Sequence, residues 1–359
     1  MSRQPFFSVI TPTYNHRPFI TACIESVMAQ TFADWEMIVI DDASSDNTAG
    51  LVRDLLRREP RLKLIAHDAN WGIARLDETY NQGLAAAAGK WIAALEGDDF
   101  WPADKLAIQH EQCRRIGAVV CFGKCRLVSP GGAVLAGAQQ SLPRSLRRYF
   151  RDYCGPMTRP LLLGPSFIHP VTAVIHALEL RRIGGFRRAP GLQLTDHPTL
   201  LELSLLGPFF GSSRQLGFYR RHAGSQSLVR IVELTAGEKE LAFAFHARSE
   251  AARPGAAGGR RFAGAMRRGW GAATAGGFWV DGRRRLAAGD TAPARAMFLK
   301  GALCRAAWPW PGWRTLKFKA ACLAALACLI LGVDPERLVA RLTGRRRSLL
   351  QEALLHDEP

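Results

Sequence analysis

Three polar clusters in the first hundred residues have the composition and spacing for ligand chemistry. Glu96-Gly97-Asp98-Asp99 closes the apolar run Trp91–Leu95. Carboxylates this close repel one another and stay ionised only in water or beside a cation. A hard divalent ion held by one or two carboxylates and by substrate phosphates is the usual resolution, a solvated turn the alternative. Asp41-Asp42 closes a second apolar run, Trp35–Ile40. A carboxylate there can accept from a base N–H or a ribose hydroxyl. It can also cap the next helix, a role that Ser44, Ser45 and Asp46 already cover. Thr11-Pro12-Thr13-Tyr14-Asn15 follows the first run and offers hydroxyls and an aromatic face for a heterocycle.

These clusters need a scaffold that gathers them. Phe6–Thr11, Trp35–Ile40, Leu62–Ala66 and Trp91–Leu95 are short β-favouring runs, the first ended by Pro12. Helical spacing over Pro18–Gln30, Thr48–Arg58 and Arg75–Ala88 separates them. Strand and helix in alternation predict a mostly parallel α/β sheet flanked by helices, and ligands in such sheets bind beyond the carboxyl ends of the strands. Further on, Val119–Val128, Val171–Ile175, Phe209–Phe210 and Leu216–Tyr219 read as strands, and Pro198–Leu206 as a helix. Gly131–Gly164 is an irregular basic stretch. Beyond about Ser227 the composition shifts to Ala, Arg and Gly, with a mainly helical extension expected, broken at Pro309 and Pro311.

FSVITPTYN, CIESVMAQTFADWEMIVIDDASSD and WIAALEGDDFWPADKL, in that order, resemble the nucleotide-sugar-binding half of family 2 glycosyltransferases. The resemblance runs over roughly residues 6–227. It implies a GT-A fold, a nucleotide-diphosphate sugar (usually a UDP-sugar), and transfer with inversion to a hydroxyl of a glycan or lipid-linked acceptor in surface-polysaccharide synthesis. It divides the chain into a catalytic domain, 1–230, and a basic helical region, 231–359; the donor half is about 1–105 and the acceptor half about 106–230.

Carried across position by position, the resemblance places Thr11, Pro12 and Tyr14 beside the nucleoside and Asp42 on the uracil or its equivalent. Asn70, Gly72 and Asn81 match the intervening loop and helix, with Arg75 a nucleotide or phosphate contact. Glu96-Gly97-Asp98 takes the place of the family's Asp-x-Asp motif, with Asp98 and Asp99 as ligands of Mg²⁺ or Mn²⁺. Glu96 departs from the usual first Asp; its carboxylate still reaches a ribose or a metal-bound water. Asp196 matches the catalytic base, with a helix cap as the alternative role and His197 as the fallback base. Tyr219–Ser227 resembles the segment that closes over the donor diphosphate, bringing Arg220, Arg221 and Ser225, with His222 as a further metal ligand.

The chain has 359 residues, 48 Lys and Arg against 31 Asp and Glu, and a net charge of +17. With 48% hydrophobic residues it is no disordered chain. Residues 1–100 carry nine bases and fourteen acids, residues 101–230 eighteen and six, and residues 231–359 twenty-one and eleven. Forty of the bases are Arg, in keeping with a coding bias. Few aromatics interleave with the basic runs, so nucleic acid is not the expected partner. The eight cysteines are scattered without zinc spacing and read as free thiols of a reducing compartment. Met1–Ser8 lacks the pattern of a secretory leader, so a cytoplasmic location is expected, peripheral on the inner face of the cell membrane if Ala320–Val333 lies on lipid. That apolar run, flanked by bases, is too short to span a bilayer; it either packs internally or lies on an anionic membrane. A non-catalytic nucleotide-sugar scaffold is the alternative to an enzyme, and intact Asp98 and Asp196 argue against it.

Overall fold

The computed structural model describes residues 4–139, 146–189, 192–252, 259–304, 313–331 and 335. The elements begin β1 (Phe7–Thr13), α1 (Ile20–Met28), β2 (Trp35–Asp41), α2 (Thr48–Leu56), β3 (Leu62–Ala66), α3 (Leu76–Ala86), β4 (Trp91–Ala94), α4 (Lys105–Arg115) and β5 (Val120–Val128). They continue with β6 (Val134–Gln139), β7 (Tyr153–Gly155), α5 (Thr158–Leu162), β8 (Val174–His176), α6 (Ala177–Arg182), α7 (Asp196–Leu203) and β9 (Phe209–Arg220). The helices α8 (Gln226–Val229), α9 (Ile231–Ala252), α10 (Gly259–Ala287), α11 (Thr291–Leu303) and α12 (Trp313–Ile330) follow. The chain divides into two compact units. The first gathers Met1–Leu127, Gln139–Thr158 and Ser166–Arg220; the second gathers Val128–Ala138, Arg159–Pro165 and Arg221–Pro359.

The first unit is built on a sheet of order β3-β2-β1-β4-β8-β5-β9-β7. Its first four strands are parallel. β8 enters antiparallel between β4 and β5, and β7 is antiparallel to β9. Every residue of β1, β2 and β4 is buried, which explains apolar runs without alternation. α1 buries Ile20, Cys23, Ile24 and Val27, the i, i+3, i+4, i+7 stripe of a helix packed on a sheet. Phe7, Val9, Met37, Val39, Trp91, Leu106 and Val174 form the core with that stripe.

At the amino end of these strands Glu36 is 7% exposed and has three donors: Ser8 Oγ at 2.6 Å, Lys63 Nζ at 2.7 Å and the Ala88 amide at 2.7 Å. Burial pushes the Glu36 pKa up, but the hydrogen bonds from Lys63, Ser8 and Ala88 outweigh it and hold the carboxyl below its usual value.

Several elements differ from their sequence expectation: Val171–Ile175, read as one strand, is a 3₁₀ turn over Pro170–Thr172 followed by β8. Pro12 lies inside β1, paired with Ile40, rather than ending the strand. Its carbonyl accepts the Gly97 amide at 3.1 Å, on the side where the β4 ladder has already stopped at Ile10–Ala94, so the missing N–H costs no pairing. Phe209–Phe210 and Leu216–Tyr219 are parts of one twelve-residue strand, β9. The stretch read as irregular contains β6, β7 and α5.

The second unit is mainly helical. α10 is a single helix of 29 residues, where apolar periodicity was weak. Glycines blur the pattern because neighbours approach closely there. A Cβ at Gly282 would sit 2.6 Å from the Phe298 ring, and one at Gly301 2.6 Å from the Cys322 sulfur. Pro309, Pro311 and Arg337–Arg347, with part of Ala320–Val333, lie outside the described residues.

Candidate active site

The carboxyl ends of β1, β2 and β4 bring the three polar clusters to one edge. The loops after β1 and β2 are latched together: the Asn15 amide donates to Ser44 Oγ at 2.9 Å, the Ser45 amide to Asn15 Oδ1 at 2.9 Å, and the Arg17 amide to Asp46 Oδ2 at 2.9 Å. Asn15 adopts the left-handed conformation, φ 52°, which its short polar side chain tolerates. Tyr14 emerges 45% exposed, while Thr11 is fully buried and its Oγ1 has no hydrogen-bond partner.

Asp42 holds a loop. Its Oδ1 accepts from His67 Nδ1 at 2.7 Å and the Trp71 amide at 2.8 Å, its Oδ2 from the Gly72 amide at 2.8 Å, and its carbonyl from Asn70 Nδ2 at 3.0 Å. Of four carboxylate acceptor positions, one on Oδ2 remains for a ligand. The Trp71 ring lies between His67, centroids 3.8 Å apart, and the Arg75 guanidinium at 4.0 Å. Arg75 also pairs with Glu78 at 2.6 Å. His67 and Trp71 were not singled out from sequence: they stand 25 and 29 residues from Asp42, and no local period links them.

The turn after β4 is crowded with acid. Gly97 packs so tightly against the end of β1 that a Cβ there would sit 2.5 Å from Thr13 Oγ1. Glu96 is part-buried, and its Oε1 accepts from the Tyr80 hydroxyl at 3.4 Å. Burial, then the charges of Asp98 and Asp196, push the Glu96 pKa up to about 8. Burial, then Asp98 and Glu96, push that of Asp99 well above the carboxylate range. Asp99 Oδ1 accepts the Arg220 amide at 2.8 Å, and Arg220 Nε donates to the Asp98 carbonyl at 2.6 Å. Arg220 is 4% exposed, its guanidinium over the rings of Phe19 at 4.9 Å and Phe100 at 5.1 Å. Its visible work is to brace the acidic turn through the backbone.

Asp196 opens α7, with Thr195 at the N-cap position, so Asp196 is not the cap and the helix starts two residues before Pro198. It lines a cavity of about 30 Å³ with Tyr80, Ala94, Phe186, Thr195 and Thr199. Asn81 ties this wall to α3: its Nδ2 donates to the Phe186 carbonyl at 2.9 Å, and its Oδ1 accepts the Phe186 amide at 2.8 Å. The first unit thus gathers Thr11, Pro12, Tyr14, Asp42, Asn70, Arg75, Glu96, Gly97, Asp98, Asp99, Asp196 and Arg220.

Arg221, His222 and Ser225 belong to the second unit. There the Arg221 amide donates to the Val128 carbonyl at 2.9 Å, and Ser225 Oγ accepts the His222 amide at 3.1 Å in a tight turn before α8. Among the described residues no three His, Cys, Asp or Glu side chains gather as a ready-made metal cage. Of the expected ligands, Asp99 is engaged through Oδ1 by the Arg220 amide; Asp98 and the neighbouring Glu96 are acids whose repulsion a cation would relieve. A pair of carboxylates that leaves the remaining positions to phosphate and water suits Mg²⁺ or Mn²⁺.

Residues 8–174 match the family model described as glycosyl transferase family 2. They form a family 2 glycosyltransferase domain. Among curated relatives, the putative teichuronic acid biosynthesis glycosyltransferase TuaG of Bacillus subtilis is 33% identical over 132 residues, 37% of this chain and 51% of that protein. The glucosyltransferase WfgD of Escherichia coli, named for a diphosphoundecaprenol-linked acceptor, is 35% identical over 127 residues, 35% of this chain and 48% of that protein. The chain spans about half or less of the length of these relatives. Two solved structures share the fold at a TM-score of 0.52. They are S. aureus TarS with UDP-GlcNAc (17% identity, covering 91% of this chain and 92% of that one) and a Pyrobaculum calidifontis mannosyltransferase with GDP-Man and Mn²⁺ (20%, covering 92% and 88%). The fold of the family domain is therefore GT-A, as its motifs imply.

Proposed function

We propose that this chain transfers a sugar from a nucleotide-diphosphate sugar, a UDP-sugar first of all, to a hydroxyl of a glycan or lipid-linked acceptor in cell-surface polysaccharide synthesis, with inversion. The observation that carries this reading is the placement of two acidic groups at one sheet edge: the Glu96–Asp99 turn, and Asp196, whose charge is felt at Glu96. Asp196 takes the proton from the acceptor hydroxyl as its oxygen bonds to the anomeric carbon, and the bond to the diphosphate breaks on the opposite face. Asp98 and Glu96 are the residues that would hold a divalent ion, which when bound supplies positive charge for the departing diphosphate. Tyr14, exposed just after β1, offers a face for a nucleobase, and the open acceptor position of Asp42 a partner for a base N–H. The names of the curated relatives, built around teichuronic acid, succinoglycan and O-antigen, support the polysaccharide setting.

The test is a donor screen over UDP- and GDP-sugars, with and without excess chelator, reading released nucleoside diphosphate. Turnover of one donor, abolished by chelation and restored by Mg²⁺ or Mn²⁺, supports the reading. Full turnover in chelator removes the metal from it, and binding of a donor without turnover of any acceptor favours a scaffold.

A further inference from the structure

We infer that α11 and α12 form a docking face for an anionic lipid surface, lying on the membrane without crossing it. The two helices pack through Ala294, Phe298, Cys322 and Ala325, all buried, with Leu326 and Leu329 beside them. That contact uses one side of each helix. The other side of α12 carries Leu316, Ala320, Leu323, Ala327 and Ile330, spaced 4, 3, 4 and 3 residues, all exposed. Leu316 is 44% exposed, Leu323 56% and Ile330 79%. α11 shows a matching row, Ala292, Ala296, Leu299 and Leu303, likewise exposed. Surface leucines are ordinary singly, but an exposed apolar row on each of two adjoining helices marks a surface that meets something apolar.

The charge says what that is. Residues 291–331 contain six bases, Arg295, Lys300, Arg305, Arg314, Lys317 and Lys319, and no Asp or Glu. Apolar rows on helices that carry bases and no acid are the pattern of a helix seated at the headgroup level, its leucines among acyl chains and its bases on anionic headgroups. A second copy of this chain would set the same bases against each other across a symmetric contact. Among the described residues no helix is long and apolar enough to cross a membrane, so the face lies on the bilayer. Such a seat would suit an enzyme whose acceptor is lipid-linked, although the inference rests on the helices alone.

The experiment is sedimentation of the full chain with phosphatidylcholine vesicles, with and without one quarter phosphatidylglycerol. Binding is expected to the anionic vesicles and to weaken as salt is raised. Leu323→Ser with Ile330→Ser removes apolar contact without altering charge, at positions exposed enough to leave the fold intact by circular dichroism and melting. It should lower the partition roughly tenfold. Lys300→Ala with Lys317→Ala should lower it by a similar factor. Undiminished partition of the serine variant would place the binding elsewhere on this basic chain and overturn the inference. So would a complete lack of vesicle binding, or a dimer seen by light scattering that the serine pair abolishes. Because the readout is binding alone, its failure leaves the transferase reading standing.

Discussion

The two ends of the same parallel sheet handle buried acid in opposite ways. At the amino end, Glu36 meets a lysine, a hydroxyl and a backbone amide, and its carboxyl is easier to ionise than in water. At the carboxyl end, Glu96, Asp98 and Asp99 face one another and Asp196, and Glu96 and Asp99 resist ionisation. The first arrangement is complete as folded. The second is held together by Arg220, which supports it through the backbone. A carboxylate matched by a cation and hydrogen-bond donors stabilises the fold; carboxylates set against one another repel, and a bound cation would relieve that repulsion. Asp42 stands between the two cases, three acceptor positions filled and one open.

The largest test of this contrast is Asp98→Ala. It should leave the chain folded and cut turnover on the order of 10³-fold, the loss of charge stabilisation at a departing group. Near-normal turnover would mean that the acidic turn serves the fold alone.

Two stability measurements sharpen the contrast, and they have opposite signs. Glu36→Gln weakens a charge-assisted network and should cost about 2 kcal/mol near neutral pH. The Glu36 carboxyl is held below its usual value, so its contribution is present above the unfolded pKa and lost as pH falls. The Glu96 pKa is raised to about 8 from 4.5, so the folded chain keeps a proton that the unfolded chain releases. Its contribution is lost as pH rises through that window. In Glu96→Gln the loss disappears, and the variant should gain on the wild type from pH 5 towards pH 8. Urea midpoints across that range decide it; parallel curves for wild type and Glu96→Gln would contradict the assignment.

The smallest expected effect concerns a buried base away from this edge. Lys105 is fully buried, its Nζ donating to Gln109 Oε1 at 2.5 Å and lying 4.0 Å above the Trp101 ring. Burial lowers its pKa from 10.5 to about 7. Between those values the unfolded chain binds the extra proton, so stability should rise with pH, and Lys105→Met should flatten that rise. An unchanged alkaline slope in the variant would show that Lys105 stays charged inside.

The fold was legible where chemistry is local. Apolar runs closed by polar clusters gave β1, β2 and β4 and the edge where their polar ends meet, because burial on both faces leaves an unbroken signature. β9 was divided in two because Ser212, Ser213, Arg214 and Gln215 interrupt its apolar run; its register comes from neighbours far along the chain. The Asp42 loop was half legible for the same reason: Asp42 and Asn70 stand out by type, whereas His67 and Trp71 matter only through contacts across the fold. Arg220 stood out as a base near a diphosphate site, but its burial and its hold on the acidic turn follow from pairings no sequence period encodes.

Asp196→Asn is the most direct test of the account. Thr195 occupies the cap position, so the substitution keeps the helix and the shape of the cavity wall while removing a basic carboxylate. Donor affinity, measured by titration with the donor identified in the screen, should stay within about twofold, while turnover falls about 10²-fold or more, the range for losing a positioned base. Turnover close to wild type would contradict the central claim and send the search for the base to His197; collapse of donor binding would place Asp196 in the nucleotide site.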